Sequence, residues 1–146
     1  MCLETKWKKP FVLKKDRECY IIVKITLIGV YSLFKSAEIT NKMRSKLDNP
    51  DGEGQVAVGL HSFKFKRDAE RFLALWKEEN FGYHFEVVKC IIPAGSKYYA
   101  GSFMTFDMFG YPTFAAPSYV SNKRNLSIPV EEILKHPNDE RSKLCV

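Results

Sequence analysis

Apolar positions along the chain fall into a few distinct patterns, and each pattern predicts an element. The run Cys19-Tyr20-Ile21-Ile22-Val23-Lys24-Ile25-Thr26-Leu27-Ile28 is dense in β-branched residues and apolar on both faces over most of its length. That predicts a buried central strand, closed or bulged at Gly29. Tyr83 to Ile92 alternates by halves, then turns wholly apolar and stops at Pro93, which predicts a second central strand. Between them Ala69, Phe72, Leu73 and Trp76 fall at i, i+3, i+4 and i+7. This single apolar stripe predicts a helix from Arg67 to Asn80, with Asp68 in its first turn and Asn80 and Gly82 as its stop. Asp48 to Gly54 is turn chemistry, after which Gln55 to Leu60 alternates as a strand. Ser118 to Lys123 is a short strand candidate, and Pro129 at a first helical position opens Val130 to Leu134.

The pattern fails in two places. Residues 31–47 fit a helix or one or two short strands equally well. Residues 101–117 set Phe103, Phe106, Phe109, Tyr111 and Phe114 among Gly110, Pro112 and Pro117 without a period. They predict a long loop, or short strands, folded onto the body. The expected fold class is therefore α+β: a mixed or antiparallel sheet with one principal helix packed on it. It is expected as a single domain over 1–146, with a basic lead-in at 1–18 and a flexible polar tail at 135–146.

Composition changes this picture little. With 146 residues, 45% of them hydrophobic and 14% aromatic, the chain can fill a core without a disulfide or a metal. It has no apolar run of membrane-spanning length, and its first residues carry charge but no apolar h-region. The expectation is a cytoplasmic protein with no membrane partner. Cys2, Cys19, Cys90 and Cys145 are scattered without a C-x-x-C spacing, which reads as reduced thiols serving as small hydrophobes. No metal and no cofactor is expected.

Charge adds a hint. The net charge is +6. Lys6, Lys8, Lys9, Lys14, Lys15 and Arg17 crowd the first segment, and Lys64, Lys66 and Arg67 form a second group. Either these cations are a solvated surface or one group is an anion-binding face. The second group adjoins Gly59-Leu60-His61-Ser62-Phe63, placed where a strand meets the helix. Such a turn aims backbone N–H groups at a ligand, and the neighbouring cations favour an anionic one. The alternative is that His61 and Ser62 only satisfy the turn. The candidate ligand-binding residues are thus His61, Ser62, Lys64 and Arg67, with Tyr98, Tyr99 and Tyr119 as lining. Those tyrosines read either as a stacking platform for bases or as core filling. No phosphate loop, nucleophile elbow or H-E-x-x-H helix is present, so no catalytic residue is assigned.

Gly59 to Phe63, the Val88 to Tyr99 strand and turn, and Tyr119-Val120-Ser121-Asn122-Lys123 together resemble a family of small uncharacterised proteins of gut Bacteroides-type bacteria and their phages. The shared pattern is a G-[FL]-H-S-[FY] turn, a V-K-C-I-I-P-x-G-[ST]-x-Y-Y strand and a Y-x-S-[ND]-K strand. The resemblance implies a small phage- or prophage-associated intracellular protein in a bacterial host. Such a protein would recognise an anionic partner, a nucleotide-type signal or a host macromolecule, and would act in counter-defence. Gly59 to Phe72 is also distantly similar to a unit of ADP-ribosyltransferase-like folds. That similarity implies an NAD-using enzyme in which Tyr20, Ser62 and Glu131 or Glu132 grip and activate the dinucleotide, although no Q-x-E or E-x-E motif is present. A structural or virion accessory protein is the third class, and the oligomeric state is left open.

Overall fold

The computed structural model describes residues 3–33, 37–79 and 84–135. Strands run at Leu3–Glu4 (β1), Phe11–Val12 (β2), Arg17–Ile25 (β3), Val30–Ser32 (β4), Lys42–Arg44 (β5), Gln55–Val56 (β6) and Leu60–Phe63 (β7). Helix α1 spans Lys66–Glu79, followed by His84–Ile92 (β8), Lys97–Phe106 (β9), Pro112–Ser121 (β10), Lys123–Leu126 (β11) and helix α2, Val130–Lys135. The main sheet order is β5-β11-β8-β3-β7-β10-β9-β1-β6, with β2 on β9 and β4 on β3. Every pairing is antiparallel.

This corrects the expected α+β class. Among the described residues, eleven strands stand against two helices, so the fold is a predominantly antiparallel β sheet and not a sheet with one principal helix. Three segments account for the difference. The 101–117 stretch, expected as a loop, is most of a long β9–β10 hairpin paired from Tyr98↔Ser121 to Phe106↔Pro112. Its inward positions, Phe103, Phe114 and Ala116, do keep a strand's alternation. Proline obscured it: Pro112 opens β10, and Pro117 lies one residue before β7 joins at Ser118↔Phe63. The hairpin's remaining aromatics sit at an exposed tip. There Asp107 Oδ1 accepts hydrogen bonds from the Phe109 and Tyr111 amides at 2.9 and 3.0 Å. The lead-in contributes β1 and β2, and 31–47 contributes β4 and β5, so both are part of the sheet. The Asn80 and Gly82 stop, Tyr83, Cys2, Cys145 and the tail beyond Lys135 lie outside the described residues.

The two strands read as central do form the spine. β3 and β8 pair in full register from Arg17↔Ile92 to Ile25↔His84. Two packed faces follow from their alternation. Ile22, Phe63, Phe85, Phe103 and Phe114 meet the α1 stripe of Ala69, Phe72 and Leu73 on one side. Phe72 and Phe103 stand edge to face at 5.2 Å between centroids, a favoured aromatic geometry. On the other side Cys19, Ile21, Val23, Ile25, Val88, Cys90 and Ile92 pack with Ile39 and with Ile133 of α2. Tyr98 and Tyr119 belong to this same cluster although they sit on β9 and β10, so the sheet curls around it.

Candidate functional site: a notch in the sheet headed by a buried arginine

β3 changes neighbours along its free edge. β7 pairs with it at Tyr20↔Phe63 alone, then leaves to follow β10 from Ser118↔Phe63 to Ser121↔Leu60. β4 takes over at Val23↔Ser32 and continues to Ile25↔Val30. Ile21 and Ile22 fall in the gap between the two partners. The notch is a cavity of about 120 Å³, walled by Ile21, Ile22, Leu33, Ile39, Met43, Leu60 and Phe63, with Gly59, His61 and Arg124 on its rim. Gly59 makes the divergence possible. Its φ of +148° is a conformation L side chains rarely adopt, and a Cβ there would run into Val120 Cγ1. The Gly59 carbonyl also receives the His61 Nδ1–H at 3.2 Å, which fixes that ring's tautomer at Nδ1.

Arg124, on β11, is 6% exposed. Its Nη1 donates to the His61 carbonyl at 2.7 Å and its Nη2 to Met43 Sδ at 3.5 Å, which straps β11 across the notch to β7 and β5. Among the described residues no carboxylate lies within ion-pair distance of it. A buried cation without a carboxylate is costly, because the several kcal/mol of lost hydration are not returned by a partner.

Two thiols feel this charge. Cys19 and Cys90 face each other across the β3–β8 ladder, both fully buried. Cys90 shares its proton with Cys19, which pulls the Cys19 thiol below its ordinary value despite burial, and the Ser62 hydroxyl and Arg124 cation act in the same direction. Cys90 is correspondingly pushed well above its ordinary value, by holding the shared proton and by burial, with Arg124 opposing. Ser62 Oγ makes no full hydrogen bond of its own, so its contact with Cys19 is a weak one.

The seven candidates from the sequence fall in three places. His61 is on the notch rim, whereas Ser62, its neighbour on β7, is buried on the opposite face beside Cys19. Lys64 and Arg67 are exposed at the start of α1, and Lys64 Nζ sits 5.3 Å from the Phe65 ring centroid. Tyr98 and Tyr119 are core residues, set edge to face with ring centroids 6.0 Å apart. Arg17 lies over both, 5.2 and 5.5 Å from the ring centroids, and donates to Tyr98 Oη at 3.1 Å. Tyr99 is fully buried on the other face, its hydroxyl donating to Asn49 Oδ1 at 3.1 Å. The seven do not line one site.

Nor do the residues implied by the transferase similarity converge. Tyr20 packs on the α1 face, Ser62 faces the thiols, and Glu131 and Glu132 are exposed on α2. Arg124, which heads the notch, was missed. Its signal is faint: Lys123 and Arg124 are adjacent cations on one strand, and strand alternation sends one of such a pair inward without saying which. Compared with protein-family models, curated proteins and solved structures, the chain matches none.

Proposed function

We propose that this chain is a binding protein for a small anionic ligand, which it receives in the notch between β3, β4 and β7. The observation that carries the reading is Arg124: a guanidinium nine-tenths buried at a largely apolar cavity, with no carboxylate from the described chain against it. A fold tolerates such a group when something it binds supplies the missing charge. The reading keeps the anionic partner expected from the sequence but moves the contact from the exposed Lys64 and Arg67 to an interior arginine. No described helix is long and apolar enough to cross a membrane. A cytoplasmic, phage-borne protein that sequesters a small anion of its bacterial host, in counter-defence, is the setting this reading fits.

A nucleotide-type partner has a different place. Phe11, Lys14, Lys15, Arg17 and Tyr98 border a surface hollow of about 520 Å³. Cations beside an aromatic face suit a phosphate and a base. The two readings separate in one experiment. Melting the protein in sodium acetate against sodium chloride at equal ionic strength, and with and without ADP-ribose, should show acetate stabilising the wild type but not Arg124→Met. Stabilisation by ADP-ribose that survives Arg124→Met and is lost in Arg17→Met would instead place the ligand in the surface hollow.

A further inference from the structure

We infer that the ligand of the notch is a short aliphatic monocarboxylate, its carboxylate on Arg124 and its hydrocarbon tail among Ile21, Leu33, Ile39, Leu60 and Phe63. This inference rests on the anion-binding reading above and names its ligand class.

The guanidinium selects the head group. Arginine carries five N–H donors in a planar fork. Two are spent on the His61 carbonyl and Met43 Sδ, which leaves three, the Nε–H among them, for a ligand. A carboxylate matches such a fork with two parallel hydrogen bonds. Among the described lining residues Arg124 is the one arginine or lysine, and the His61 Nδ1–H is taken by the Gly59 carbonyl. A single positive charge in a desolvated site balances a monoanion and leaves a phosphate dianion half-compensated.

The walls select the tail. Apart from the rim groups and Ser32 they are aliphatic or aromatic, and Ile21, Ile22, Ile39, Leu60 and Phe63 are all buried core residues. The cavity's 120 Å³ bounds the size. Apolar cavities of about 150 Å³ hold a benzene-sized guest, so this one takes roughly four to six carbon atoms. Nucleotides and long-chain fatty acids are too large for it, and formate leaves most of it empty.

The test is a calorimetric titration of the full chain with sodium 3-methylbutanoate, acetate, octanoate, inorganic phosphate and the uncharged 3-methylbutan-1-ol. Each buried CH₂ strengthens binding about fourfold, so 3-methylbutanoate, with three carbons more than acetate, should bind roughly fiftyfold tighter. The alcohol should bind at least tenfold more weakly than its matched carboxylate, and octanoate more weakly than 3-methylbutanoate. Arg124→Lys keeps the charge but loses the fork, and should weaken 3-methylbutanoate at least tenfold. Arg124→Met should abolish its binding while the protein stays folded by circular dichroism. Phosphate or acetate binding as tightly as 3-methylbutanoate would overturn the ligand class and leave the anion site standing. Equal binding of the alcohol and the carboxylate, or no binding of any probe, would overturn both.

Discussion

Replacing Arg124 by methionine should leave the ligand-free protein as stable as the wild type or more so. The side chain is 6% exposed, and its polar partners are the His61 carbonyl at 2.7 Å and Met43 Sδ at 3.5 Å. Removing it forfeits one charge-assisted hydrogen bond, worth about 1.5–3 kcal/mol, and a weak N–H···S contact. The freed carbonyl would cost about 1–3 kcal/mol if left dry, and less if a water enters the cavity that His61 lines. Against these stands the lost hydration of a buried cation, several kcal/mol, which no described carboxylate returns. Methionine restores most of the volume with an apolar, adaptable chain. The balance predicts a change between about zero and 3 kcal/mol in favour of the variant, or up to roughly 10 °C in Tm for a domain of this size. Urea unfolding followed by circular dichroism measures it directly, with an unchanged m-value confirming that only stability moved. A loss of about 3 kcal/mol or more would refute the reasoning. That is the penalty for breaking a buried ion pair, and it would mean that the folded chain already neutralises Arg124.

Other consequences are independent of the ligand. Gly59→Ala should destabilise the fold by about 2 kcal/mol or more in the same assay, since φ is +148° there and the new methyl meets Val120. Phe72→Ala, which removes the ring that Phe63, Phe103 and Phe114 surround, should cost about 3–5 kcal/mol. Stability should also fall as pH rises above about 9, because Cys90, Tyr99 and Tyr119 all hold their protons more tightly folded than unfolded. A raised folded pKa stabilises below the unfolded value and is lost as pH climbs towards the folded one. Tyr119→Phe should blunt this alkaline limb in pH-resolved melts, and an unchanged limb would remove Tyr119 from the account. Cys19 has the opposite sign: its lowered pKa adds stability as pH approaches 9.0 from below, and Cys90→Ala, which removes the shared proton, should erase that rise.

Local patterns made the spine legible but not the site. Two nine-residue strands rich in β-branched residues, and a helix with its stripe at Ala69, Phe72, Leu73 and Trp76, carry their signals within themselves. The β9–β10 hairpin was hidden because Pro112 and Pro117 mimic loop chemistry, and because the exposed tip interleaves Phe109 and Tyr111 with the buried Phe103 and Phe114. The two-residue strands β1 and β2 have no period to read, since they exist through pairing with distant partners. His61 was visible as a polar residue at a strand–helix junction. Arg124 was not, because its burial depends on β5 pairing with β11 and on β7 bringing the His61 carbonyl to the guanidinium. Separating Ser62 from His61 needed only strand alternation, which sends neighbours to opposite faces. Tyr98 and Tyr99 are divided by the same rule.

The most direct test of the anion-binding claim is a side-chain NMR spectrum of the arginine Nε–H groups, recorded while sodium 3-methylbutanoate is added. The account predicts that one Nε–H resonance, absent in Arg124→Lys, moves downfield with saturation as the carboxylate engages the guanidinium, while the Arg17 resonance stays in place. An Arg124 resonance that stays fixed at millimolar ligand, or one that moves equally with sodium chloride, would contradict it.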